Sequence, residues 1–244
     1  MTILLAGLLI FISNATEAVI GFGATLIALP FITLLLGMKT GVVALTTVSY
    51  TLAIYTVISK RKKINYKEYF TILPIMLLML PIGMQIIRSL DAAYLKKFLG
   101  LFLVVVSTIQ IITFFKKDEE VEIKRPSLLI KLLLLIPGGI IQGAFSSGGP
   151  FVVLYAKKCI KDKTEFRATL SLLWVSLNTL ILGRYALEGS YTHEVITTYF
   201  SLIPFMLLGI VVGEYLHFKI SQRAFSLVVY IGLFITGLFL LFSV

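Results

Sequence analysis

Ser146-Ser147-Gly148-Gly149-Pro150 puts five helix-hostile residues in a row inside an apolar run that begins near Ser127 and continues to Lys157 and Lys158. A helix is expected to restart just past the glycines, with Pro150 in its first turn, where a missing N–H costs nothing. A helix that begins inside a bilayer has up to four unpaired N–H groups and the positive end of its dipole there. An oxyanion satisfies both. Ser146 and Ser147 add hydroxyls, Gly148 and Gly149 allow close backbone approach, and Gln142 adjoins the break. A milder break, Gly21-Phe22-Gly23, interrupts the apolar run from Ile3 to Leu36, and Ala24-Thr25 follow it. Two broken hydrophobic segments in matching places of two halves point to a transporter's substrate site.

The substrate-binding candidates are therefore Gly21, Gly23, Thr25, Gln142, Ser146, Ser147, Gly148 and Gly149. Asn14 and Asn178 join them as intramembrane amides that either bond substrate or cross-link helices. Glu17, just before the first break, is the candidate for proton or ion coupling, because an ionisable group at membrane depth is costly without a function. Its bland alternative is a place among the headgroups, if the first leg crosses fully. Gly139/Gly143 and Gly209/Gly213 have the small-xxx-small spacing of helix packing. Trp174 is read as core or lipid-facing ahead of a site wall, and Arg88 and Arg184 as outer-interface anchors ahead of substrate clamps.

These residues need a scaffold, and composition names it. The 244 residues are 58% hydrophobic and 14% charged, with a mean hydropathy of +0.99, too apolar for a soluble fold. Apolar segments fall at about 3–36, 42–59, 69–87, 94–115, 128–156, 168–187, 195–215 and 222–243. The first and fifth are over-long and contain the Gly-rich breaks; the others suit single spans of about 20 residues. Charge decides how the long ones run. If both are hairpins that enter and leave on one side, the loops near 60–67, 116–131, 157–167 and 219–223 hold 17 of the 22 Lys and Arg. If the fifth segment crossed once instead, the division would be 11 against 11. The positive-inside rule favours hairpins.

The expected fold is an all-α polytopic membrane protein of two inverted-topology repeats, each a broken helical hairpin followed by three transmembrane helices. Residues 1–115 form the first repeat, 116–126 a cytoplasmic linker with Asp118, Glu119, Glu120 and Glu122, and 127–244 the second. Gly23-Ala24-Thr25-Leu26 can be laid on Gly148-Gly149-Pro150-Phe151. Both termini are expected outside a plasma membrane, and Met1–Leu5 lacks the basic region of a removable signal peptide.

Other classes fit poorly. The net charge of +10 sits in short loops, without the aromatic-studded basic face of a nucleic-acid binder. Cys159 is the only cysteine, and His193 and His217 lie apart, so neither a disulfide framework nor a metal site is expected. A serine hydrolase would need Gly two residues before its nucleophile and a buried base; Ala144 and Phe145 stand in the first place, and both histidines lie at membrane edges. No P-loop is present, so transport is expected to run on ion gradients, without a cofactor.

Gly143–Tyr155, Gly-Ala-Phe-Ser-Ser-Gly-Gly-Pro-Phe-Val-Val-Leu-Tyr, resembles the second-repeat motif of the sulfite exporter TauE/SafE family. Gly21–Pro30 is similar to the first-repeat motif, Gly-x-Gly-Gly-Gly followed later by Pro, with Ala24 and Thr25 in place of the usual glycines. The resemblance runs across nearly the whole chain. It implies a plasma-membrane transporter of small sulfur-containing anions such as sulfite or organosulfonates. An amino-acid or cation exporter is the runner-up, and an anion channel comes third. The expected partners are a small anionic substrate and the lipid bilayer, with a homodimer compatible and no nucleic acid.

Overall fold

The computed structural model describes residues 2–20, 23–115, 126–216 and 222–242. Helices α1 (Thr2–Ile20) and α2 (Ala24–Leu36) come from the first long segment, and α3 (Met38–Lys60), α4 (Tyr66–Ser89) and α5 (Ala92–Phe115) follow. Helices α6 (Leu128–Phe145) and α7 (Gly149–Cys159) come from the second, followed by α8 (Lys163–Leu187), α9 (His193–Leu216) and α10 (Gln222–Phe242). Both expected breaks are present. The linker stretch 116–125, Gly21, His217 and Lys219 lie outside the described residues.

Six helices are long and apolar enough to span a bilayer. Their outward faces are apolar too: Leu78, Phe200, Val211 and Phe239 are all exposed. In water such faces would aggregate; in lipid they are solvated. The chain is an all-helical, multi-pass membrane protein.

Helix ends follow their surroundings. At α4, α6 and α8 the side chains of Asn65, Ser127 and Asp162 accept hydrogen bonds from the N–H groups of Glu68, Ile130 and Glu165. Those starts lie beside basic loops, where polar caps are available. At α2 and α7 the positions before the helix are Gly23 and Gly148, with no cap from their own side chains. Gly23 has φ 102°, a left-handed turn that glycine makes without strain. With 13 and 11 residues, α2 and α7 measure roughly 20 and 16 Å, short of the ~30 Å hydrocarbon core.

Packing pairs the two halves. Helix α1 lies on α9 and α4 on α6; α5 crosses α10, and α3 crosses α8. Exchanging the first five helices for the last five maps these contacts onto one another. Glycines set the closest approaches: a Cβ at Gly83 would overlap the Ile140 carbonyl, and one at Gly143 the Leu80 carbonyl. Gly209 stands likewise against the Phe11 carbonyl and Gly213 against that of Ala15. At the α5–α10 crossing, a Cβ on Gly100 would lie 2.9 Å from the Gly237 carbonyl oxygen, and one on Gly237 at 2.9 Å from that of Gly100. The expectation that Gly139/Gly143 and Gly209/Gly213 serve packing is met. Helix α2 departs from the pattern by lying along α3, to which the single residue Gly37 joins it.

Candidate functional site

The tips of the two hairpins reach one internal cavity, bounded by α1, α2, α3, α6, α7 and α8. It has room for the centres of water-sized molecules over about 50 Å³ and opens in part to solvent. From the first half, Glu17, Gly23, Thr25 and Leu26 line it, with Ser49 and Ala53 of α3. From the second come Gln142, Ser146, Ser147, Gly149 and Pro150, with Ser171, Trp174 and Asn178 of α8.

Each helix restart is held by a side chain of the preceding leg. Glu17 Oε2 accepts a hydrogen bond from the Ala24 N–H at 2.7 Å. Gln142 Oε1 accepts one from the Gly148 N–H at 3.0 Å, while its Nε2 donates to Asn178 Oδ1 at 2.8 Å. The two halves therefore solve the same problem differently: an ionisable carboxyl caps α2, and an amide that does not titrate caps α7. The overlay of Gly23 on Gly148 places Glu17 on Gln142, so the residues correspond in sequence as well as in role.

Ser146 closes α6 in the left-handed conformation, with φ 52°, and its N–H donates to the Gln142 carbonyl at 2.9 Å. Its hydroxyl meets Thr46 Oγ1 of α3 at 2.8 Å, tying the second hairpin to the first half. A non-glycine residue pays about 1–2 kcal/mol for this backbone. Ser146→Gly is expected to melt higher than Ser146→Ala by a margin of about 1 kcal/mol, since only alanine keeps the strain after losing the bond to Thr46. Equal melting temperatures for the two variants would contradict this.

Donors remain. Among the described residues, the Ser171 hydroxyl and Asn178 Nδ2 have no hydrogen-bond partner, although both residues are more than nine-tenths buried and both line the cavity. The N–H of Gly149, in the first turn of α7, has no intrahelical acceptor either. Thr25 Oγ1 and Ser49 Oγ bond each other at 2.7 Å across the α2–α3 side. Trp174 forms a flat wall: a Cβ on Gly149 would stand 3.8 Å from its Cζ2.

Not every candidate from the sequence meets the cavity. Asn14 is buried on the α9 side of α1, its Cβ against Gly209, and its Nδ2 donates to the Ile10 carbonyl at 2.8 Å. Gly148 lies behind the lining, where a Cβ would overlap the Gly138 carbonyl of the opposite leg; the glycine there lets the two legs touch. Gly21 lies outside the described residues. Arg88 and Arg184 stand away from the cavity, both paired with Glu188, at 3.4 and 2.7 Å. Ser49, Ala53 and Ser171 were not singled out from the sequence. Their signal is the same overlay, which pairs Ser49 with Trp174, Ala53 with Asn178 and Thr46 with Ser171.

A bundle of lipid-facing helices, with two broken hairpins converging on an internal cavity, is built as membrane transporters are built. The chain belongs to the sulfite exporter TauE/SafE family, which it matches over residues 5–240, and that family is one of membrane transporters. No curated protein and no solved structure matches it.

Proposed function

We propose that this protein is a secondary transporter of small sulfur-containing oxyanions, sulfite or organosulfonates, that works by alternating access in the plasma membrane. The observation that carries the reading is the set of unpartnered donors, Ser171 hydroxyl and Asn178 Nδ2, lining the cavity at which α7 begins. Donors that face the cavity and bond no protein acceptor are free for a ligand, and an oxyanion can take both while benefiting from the helix dipole. The lining is apolar on its other walls, at Leu26, Ala53, Pro150 and Trp174, which suits an organic substituent on the anion. The mapping of contacts between the halves supports inverted-topology repeats whose hairpins act as gates, with both termini outside. Lys157, Lys158, Lys161 and Lys163 follow the second hairpin and support a cytoplasmic position for its ends.

The test is flux. Protein in liposomes is expected to move labelled sulfite or a short sulfonate. Gly149→Ala should be tolerated, because its Cβ makes only ordinary contact; Gly149→Leu should cut flux about tenfold or more by filling the space beside Trp174. Failure to move any anion of a broad sulfur panel would sink the substrate class. Cation movement abolished by Glu17→Gln would point to an exporter of cations or amino acids instead.

A further inference from the structure

The two helix restarts are chemically unequal, and the inequality has a functional meaning. Helix α2 has an ionisable group at its start, the Glu17 carboxyl, which is an anion whenever it is deprotonated. Helix α7 has only the uncharged Gln142 amide. Both groups belong to one cavity, so an incoming oxyanion on the α7 side meets the α2-side carboxylate as a like charge in low dielectric.

We propose that Glu17 makes anion binding proton-linked: one proton, taken up by its carboxylate, accompanies each anion that enters the cavity. The proposal rests on the anion reading given above and adds the coupling ion to it. The protonated acid removes the competing charge, and the anion takes over as the negative partner of the cavity's donors. Release runs in reverse. The carboxylate sheds its proton, is again a charged cap on the Ala24 N–H, and repels the anion.

The surroundings single Glu17 out for this role. It is the only titratable residue of α1, and α2 has none. Helix α9 meets this stretch of α1 through Gly209 and Gly213, against Phe11, Asn14, Ala15 and Ala18. Helices α3 and α6 offer the cavity Ser49 and Gln142, which do not titrate; the α6–α7 break offers Ser147 and α7 offers Gly149. Helix α10 touches the edges of α1 and α2, with Tyr230 as its described titratable residue. Among the described residues, the cation that acts on Glu17 is Arg167 of α8, one turn below Ser171 on the same helix. Whenever Glu17 is charged it opposes an anion in the cavity, and a proton on its carboxyl removes that opposition.

Trp174 is the chain's single tryptophan and lines the cavity, so its fluorescence reads occupancy directly. Purified protein would be titrated with ethanesulfonate, which stays ionised across the range, between about pH 5 and 8. The dissociation constant is expected to rise with pH, approaching tenfold per unit above the carboxyl's own titration. In Glu17→Gln it should be flat in pH and lower than wild type at the alkaline end. A second measurement needs no variant: adding ethanesulfonate to the wild-type protein in weak buffer near the top of that range should draw about one proton from solution per anion bound. Binding without pH dependence, or without proton uptake, would overturn the coupling and leave the anion site standing. No sulfonate response at any pH would overturn both.

Discussion

Gly83→Ala should leave little correctly folded protein, although it adds a single methyl group. The methyl would coincide with the Ile140 carbonyl and sit 2.8 Å from the Ala144 nitrogen, both backbone atoms of α6 that no rotamer change can move. Overpacking in a core costs about 1–3 kcal/mol where side chains can give way. Here α4 would have to withdraw from α6, and that surface also carries Gly143 against the Leu80 carbonyl. The control is Gly183→Ala in α8, where a Cβ meets nothing within 4 Å. It should be neutral or stabilising by up to about 1 kcal/mol, through helix propensity alone. Detergent-solubilised yield and melting temperature decide the matter; a Gly83→Ala protein that melts with wild type would mean that the helices do not meet this closely.

Gln142 carries the second large effect. It is buried, and both ends of its amide are engaged: Oε1 accepts from Gly148 and Nε2 donates to Asn178. Gln142→Leu keeps the bulk and strands a backbone N–H and an amide oxygen in a place water reaches poorly. Each stranded group costs about 1–3 kcal/mol, so a loss of about 2–6 kcal/mol and an unset hairpin tip are expected. Gln142→Glu separates structure from function. It still offers an oxygen to Gly148, and Asn178 can turn its amide to donate, so the fold should hold. The cavity would then have a carboxylate at both helix restarts, and anion affinity should fall at least about tenfold at neutral pH. Wild-type sulfonate binding in a folded Gln142→Glu protein would show that the anion sits elsewhere.

Much of the architecture was legible because hydrophobic length and loop charge are strong signals. Both breaks are present, a helix stands at each of the other six apolar runs, and α2 restarts at Ala24 as expected. Ser147, Gly149 and Asn178 reach one cavity from a helix break and a distant helix because both were read as polar chemistry in apolar surroundings. The cavity's other walls were not readable in that way. Ser49, Ala53 and Ser171 are small residues on unbroken helices, where the overlay of the halves is the one sequence signal and residue type alone does not separate a site from packing. Asn14 shows the converse: its amide is as polar and as buried as that of Asn178, but it faces α9. Helix rotation decides between the two, and a single sequence does not report rotation. The contrast between Glu17 and Gln142 could have been found from the overlay of the breaks, but its meaning depended on seeing which N–H each one takes.

The Gly100–Gly237 crossing has one more consequence. A contact that an exchange of halves maps onto itself stays put when the halves trade places. If the two halves swap shapes during a transport cycle, the separation of α5 from α10 there should be the same at either extreme, as should that of α3 from α8, which maps onto itself too. A pair of distance probes flanking the glycine crossing would serve as an internal ruler. Against that fixed length, movement of the hairpin tips could be measured in the same molecule.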